Sequence, residues 1–409
     1  MTKKHLDLTT ITAACRPGGA SVLTVNSELA PAAGPHAGVA PPRFVRGSQA
    51  VYAFETRYVD IDGSGPQAVS TVVLDSKGSA LNRIEEALST AIHDEVGAVS
   101  STPRIRVSYD GLPPVTCLEL PHRAFDGHVR AGTVDGKPTT DSDRYRAARN
   151  VTAANARPLL ELSPISLVLG AWDSTRKTHQ VRFRSALVGE VIGVLADQGP
   201  DGRDVSARGA ARFEHLAPSV RLSPEDMESL VQAQEAELSV KNVEGIRKDI
   251  ARAKKGGTIS ASPLGLGSIP PSLDGLGLVS CQRIIRSHVL SFSALRQLRF
   301  GLGHDGDAAA RALLAALGLN GLARSFDELL LRANCDLIET AEPVFTLDGR
   351  YGRTIPLEAL RAEAADELLE AAVQAARGFG VEWQGQVFEV VGNPLIVGAI
   401  AADTDDEGN

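Results

Sequence analysis

Apolar positions near the start of the chain alternate first and then take up a helical spacing. Ser21–Leu29 (SVLTVNSEL) carries Val22, Leu23 and Val25 and reads as a strand. Gln49–Asp60 and Gln67–Asp75 read the same way and are joined by the turn-rich DIDGSGP. From about Gly78 to Val96 the period changes. Leu81, Ile84, Leu88 and Ile92 recur three and four residues apart, which predicts a helix with one buried stripe. Arg104–Tyr109 is strand-like, Val115–Leu120 is a further strand candidate, and Pro121 opens a short helix holding Ala124, Phe125 and Val129. Strand, strand, helix, strand in this order predicts an α+β fold with an RRM-like (ferredoxin-like) sheet and helices on one face.

Other stretches break the pattern. Ala30–Gly47 is rich in Ala, Pro and Gly without an apolar period and reads as a loop or arm; Gly132–Asp143 and Asp197–Arg208 read as mobile polar connections. Ser223–Ala253 reads as largely helical, with Ser223 as N-cap and Pro224 at the first helical position, and ends in a basic stop, AKKGG. Helices follow at about Asp307–Leu317 and Pro356–Arg377, then a strand pair, Gln386–Val391 with Leu395–Ala401. The chain therefore divides into an N-terminal strand and flexible arm (1–47) and the first part of the RRM-like sheet with an inserted loop at 132–157 (48–193). A helical insertion with a basic tip (194–260), a glycine-rich loop with completion of the sheet (261–324) and an acidic helical and strand region (325–409) follow.

Composition narrows the classes. At 409 residues and 43% apolar content the chain can bury a large core, while 4% aromatics is too few to hold single strands mainly by stacking. Cys15, Cys117, Cys281 and Cys335 are far apart with no CxxC, and no signal-peptide pattern opens the chain, so reduced thiols and a cytoplasmic location are expected. The longest apolar run, around Leu159–Ala171, is interrupted by Glu161 and Pro164, so no membrane association is expected. The net charge of −8 hides an asymmetry: from Ser325 onward 17 acidic residues face 5 basic ones, a balance of −12, which leaves +4 for residues 1–324. Basic residues cluster there at 144–157, 176–184, 241–255 and 283–299. Such stripes suit a polyanion bound along a track, and equally suit solvated faces.

The candidate chemistry is phosphate binding. In LDSKGSALNRIEEAL (74–88), Ser76, Ser79 and Arg83 share a helix face, with Lys77 and Asn82 beside them, opposite Leu81, Ile84 and Leu88. Hydroxyls at a helix N-terminus with a guanidinium can grip a phosphodiester, and can equally be an ordinary cap. On this spacing, removing Ser79 and Arg83 is expected to spare stability. His122 and Arg123 follow a predicted strand. Trp172, with Ser174 close by, ends an apolar run where its ring can stack on a base or fill the core. Arg182 and Arg184 alternate with Val181 and Phe183 and project from one strand face, an arrangement that favours an anion between them. Arg283 and Arg286 belong to the last basic cluster. The glycine-rich 256–277 lacks a GxxxxGK[ST] motif and offers either close phosphate approach or a linker. Catalytic signals are poor: DIDGSG has Thr71 where a calcium loop needs Glu, and GxSxG and HExxH are absent. No metal, cofactor or enzymatic activity is expected.

The strand followed by DSxxSxxNRxE resembles the first helix of the backbone subunits of type I CRISPR complexes, most closely those of type I-U (I-G) systems. LPHRAFDGHVR (120–130), ELSPISLVLGAWDST (161–175), VRFRSALVGEVIG (181–193) and the glycine-rich block at 265–300 are similar to the same family. The resemblance implies a RAMP-superfamily, RRM-like palm with inserted finger and thumb elements. It implies copies stacked as a helical filament along the spacer of a guide RNA (crRNA) in a Cascade complex. Its partners would be crRNA, target DNA through the guide, further copies of itself and other CRISPR subunits in antiviral defence. An alternative from the same superfamily is a ribonuclease that cuts bound target RNA through a loop aspartate, for which Asp135, Asp141 and Asp143 are the candidates.

Overall fold

The structure, a computed structural model, describes residues 3–47, 49–196, 219–254, 256–267, 277–331 and 335–396. The chain forms two units, Met1–Gly202 with Val279–Pro394, and Arg203–Leu278 with Leu395–Asn409.

The larger unit is a mixed α+β body on an eight-stranded antiparallel sheet. Its strands are β1 (Val22–Pro31), β2 (Phe54–Val59), β3 (Gln67–Asp75), β4 (Leu187–Leu195), β5 (Cys281–Ser291), β6 (Leu337–Glu339), β7 (Val344–Asp348) and β8 (Thr354–Leu357). They lie in the order β8-β7-β1-β5-β4-β3-β2, with β6 also paired to β1. Alternation sets the two faces. In β1, Leu23, Val25 and Leu29 are buried while Asn26 is exposed; in β5, Ile284, Arg286, His288 and Leu290 point inward. Helices α1 (Leu8–Cys15), α2 (Lys77–His93), α3 (Gly303–Asp327) and α4 (Ala362–Arg377) share one core with that inner face, joining Leu23, Val25, Leu187 and Leu290 to Ile84, Leu313 and Leu369. The other face holds a small cluster of Val59, Val69 and Val194 and the ion pairs Arg57–Glu190 (3.1 Å) and Arg283–Glu28.

The sequence pattern and the structure agree on β3 and on α2, whose apolar stripe is buried and whose Ser76 hydroxyl caps Ser79 N at 3.3 Å. They differ where burial is complete. α3 runs 25 residues, not only Asp307–Leu317, and nearly all of it is buried, including Arg311, whose Nε and Nη2 donate to Leu298 O at 2.9 and 2.7 Å. A Cβ at Gly321 would come within 2.8 Å of Ile84 and Leu88, so this position brings α3 close against α2. Ile165–Val168, within the apolar run, is a helical turn, and Thr354–Leu357 pairs with β7, so the last helix begins only at Ala362. Gly132–Asp143, expected to be mobile, forms the hairpin Thr133–Val134 with Lys137–Pro138 and a 3-10 turn in which Thr139 is fully buried. Val387–Val391 pairs in parallel with Arg104–Ser108. Ala30–Gly47 is anchored by Val39, which is buried and bridged to Val279.

The smaller unit has its own core of Met227, Val231, Val243, Ile246 and Ala261. It contains helices Pro224–Gln234 and Val240–Arg252 and the strand pair Arg221–Leu222 with Ile259–Ser260. Ser223 caps the first helix by accepting from Asp226 N at 3.1 Å. Asp197–Arg208, Lys255, Ile269–Ser272 with the rest of 268–276, and Val397–Ala401 lie outside the described residues. Among the described residues no helix is long and apolar enough to cross a membrane.

Candidate nucleic-acid interface

The polar groups of the larger unit fall into two kinds, those spent inside the fold and those left at its surface. Arg83 belongs to the first. Its Nε and Nη2 donate to the two oxygens of buried Asp75 at 3.0 and 3.1 Å, Nη2 also reaches Ser79 Oγ at 3.3 Å, and Nη1 contacts Leu330 O. The spacing argument thus placed Ser79 and Arg83 together correctly, while the partner of Arg83 is a carboxylate at the end of β3. Lys77 and Asn82 remain exposed along α2.

Arg123 is likewise committed. It donates to Glu85 Oε1 at 2.6 Å and to Gly170 O at 2.8 Å, from a left-handed backbone (φ +50°). Burial pushes the Glu85 carboxyl above its ordinary range, with Arg123 opposing in part. His122 is exposed, and its backbone N–H donates to Asp126 Oδ2 at 3.1 Å. Arg283 and Arg286, three residues apart on a strand, point to opposite faces. Arg283 is bound to Glu28, with Nε at 3.1 Å. Arg286 is 2% exposed, bonds Glu339 at 2.6 Å and Ser27 at 3.1 Å, and lies 3.9 Å from the Phe326 ring centroid. A nucleic acid on the surface has no access to it in this arrangement.

The second kind gathers on one hairpin. Ala171–Trp172 pairs with Arg182–Phe183, Trp172 opposite Arg182. Its base is locked by Asp173, fully buried, which accepts from Arg149 Nε at 2.7 Å, while Arg176 donates to Arg149 O at 2.8 Å and Asn150 Oδ1 at 2.9 Å. Gln180 Nε2 closes the loop onto Ser174 O at 3.2 Å. Val181 and Phe183 pack on the core, so the alternating side chains Arg182 and Arg184 are turned out to solvent. Trp172 is 46% exposed and so does not plug the core; the Arg182 guanidinium lies over its ring at 5.2 Å. Neither Arg182 nor Arg184 meets a carboxylate among the described residues. A groove of about 750 Å³ beside the hairpin is lined by Asn150, Thr152, Arg176, His179, Arg182 and Phe183. An aromatic face, two unpaired guanidiniums and a polar groove can take a base and its phosphates together.

Among the described residues no group of His, Cys, Asp or Glu could hold a metal ion. Asp60 and Asp62 accept from Gly63 N at 2.7 Å and Ser64 N at 3.1 Å, which makes DIDGSG a hairpin turn. Asp135 and Asp141 lie in the ordered hairpin and its turn, and the carboxylate of Asp143 pairs with Arg146. The four cysteines are free, and burial pushes the Cys15 and Cys281 thiols up to about 12.

Residues 23–198 match the family model described as CRISPR-associated protein GSU0053. No curated protein matches the chain. The matched span contains four of the blocks noted above, 74–88, 120–130, 161–175 and 181–193, together with the Trp172 hairpin. It supports a CRISPR-associated protein that acts with other CRISPR components in defence.

Proposed function

We propose that this chain is a non-catalytic backbone subunit that coats a guide RNA in several copies and presents it for pairing with target DNA. The observation that carries the reading is the Trp172–Arg182–Arg184 surface, an exposed aromatic and cationic hairpin on a rigid base, within the span matched to a CRISPR-associated family. The sheet adds support. Its path from β1 through α2, β4, β5 and α3 to β7, with spatial order β7-β1-β5-β4, supports reading it as an RRM-like palm, with β2 and β3 extending one edge. Phosphate contacts of this kind position a strand without reading its bases, so one subunit serves every guide sequence.

The test is to purify the chain from cells that express a guide RNA and examine what travels with it. RNA of uniform length is expected, retained less as salt rises because phosphate contacts release counterions. The double substitution Trp172→Ala with Arg182→Ala should reduce retention for all guide sequences alike. A monodisperse monomer that carries no nucleic acid and has no affinity for guide RNA overturns the proposal.

A further inference from the structure

The hairpin joining β7 to β8 turns through Asp348–Arg353 (DGRYGR), outside the family match. Three successive residues there have left-handed backbone: Arg350 at φ +63°, Tyr351 at +51° and Gly352 at +78°. Glycine takes this conformation freely, whereas arginine and tyrosine adopt it at a cost because their Cβ crowds the backbone. The turn is nonetheless held firmly. Gly349 N donates to Arg353 O at 2.8 Å, Arg353 N to Arg350 O at 3.0 Å, and Arg350 N to Asp348 Oδ1 at 2.9 Å. The other Asp348 oxygen accepts from Ser21 N at 3.0 Å, and Arg350 Nη1 reaches Ser21 Oγ at 2.5 Å, which fastens the tip to the residue before β1.

What this strain maintains is the display of one ring. Tyr351 is 95% exposed, with Arg350 and Arg353 exposed on either side of it in the chain. Neither the Tyr351 nor the Arg353 side chain meets a partner among the described residues. The charge of Arg350 reaches Arg296, whose pKa is lowered first by burial and to a lesser degree by Arg350, while Asp348 in the same turn carries the opposite charge. An aromatic residue with an arginine on either side of it in the chain, and glycines beside them, matches the alternation of base and phosphate along a single strand. An apolar pocket on a protein would instead call for apolar neighbours around the ring.

We infer that Asp348–Arg353 is a second contact for single-stranded nucleic acid, in which Tyr351 stacks on a base and Arg350 and Arg353 meet the flanking phosphates. The inference rests on the RNA-binding reading above and uses a site separate from the Trp172 hairpin.

The experiment measures the binding of a fluorescent mixed-sequence single-stranded RNA to the full chain and to its Tyr351→Gly, Tyr351→Phe and Trp172→Ala variants, together with the melting temperature of each. Tyr351→Gly should weaken binding about five-fold or more, the lower end of what one stacked base contributes. It should melt no lower than the parent, because glycine accepts φ near +51° without strain. Tyr351→Phe should bind like the parent, since the ring is kept. Parent-like binding by Tyr351→Gly alongside weakened binding by Trp172→Ala overturns this site and leaves the RNA reading standing. A parent that binds no RNA overturns both. Equal losses in Tyr351→Gly and Tyr351→Phe, or a Tyr351→Gly variant that melts well below the parent, overturn the stacking role.

Discussion

Asp75 is 3% exposed, and both of its oxygens accept from a single guanidinium, that of Arg83. Removing Arg83 strands a buried carboxylate, so Arg83→Ala should lose about 3–5 kcal/mol of stability, read from the urea midpoint. Arg182→Ala, at an exposed position, should change it by no more than about 0.5 kcal/mol. The contrast reverses the expectation from helix spacing that Arg83 could be removed without loss. Helix spacing did not reveal this pair because Asp75 lies in a strand, and the pitch of the following helix carries no information about where a strand residue points. His288, 5% exposed on β5, makes a second prediction. Burial, and then the charge of Arg286, push its pKa from 6.5 down to about 3. The unfolded chain therefore binds more protons between those two values. The contribution of His288 is complete above pH 6.5 and is lost as pH falls toward about 3, by up to about 1.4 kcal/mol per pH unit. His288→Gln should flatten that part of the stability profile in denaturant titrations across the same range. A mutant profile parallel to the parent's would contradict this account.

The β4–β5 pair shows how closely these elements meet. Gly189 lies opposite His288, and a Cβ there would fall 2.0 Å from the imidazole Cδ2. Gly189→Ala should therefore cost about 1–3 kcal/mol by overpacking. Adding His288→Ala should recover part of that loss in a double-mutant cycle, and strictly additive losses would show that the ring is not the obstacle. Elements with one wet face and one dry face were legible in the sequence: β3 and α2 appear close to their expected bounds, and Ser223 caps a helix as expected, although Ser223–Ala253 forms two helices, Pro224–Gln234 and Val240–Arg252. α3 was legible only in part, because a helix buried all round has no polar stripe to mark its period, and Gly318 and Gly321 mimic stops while serving close packing. Gly132–Asp143 misled in the opposite sense, since a polar segment can still be pinned by one buried residue, here Thr139. For the candidate site, the alternation of Arg182 and Arg184 with Val181 and Phe183 was readable. The exposure of Trp172 was not, because it depends on a two-residue strand pairing.

Across the larger unit, several arginines, both inside the basic clusters and outside them, turn out to be clamps within the fold. Arg83, Arg123, Arg149 and Arg283 are bound to Asp75, Glu85, Asp173 and Glu28 respectively. Counting charges along a sequence cannot separate such clamps from arginines left for a ligand, because the partners lie 8 to 255 residues away. Connectivity at this scale has a further effect, on synthesis. β1 is an inner strand whose Thr24 pairs with Val289 on one side and Thr346 on the other. The second of these neighbours emerges 322 residues later. At about 5–20 residues per second a ribosome needs roughly 16–64 s to deliver it. For that interval one edge of β1 stays open, and until β5 emerges the apolar face of Leu23 and Val25 also has no sheet to join, the condition in which nascent chains find one another. A translational pause anywhere between residues 31 and 281 would lengthen the exposure and lower the yield of folded protein, while leaving the stability of the finished molecule unchanged.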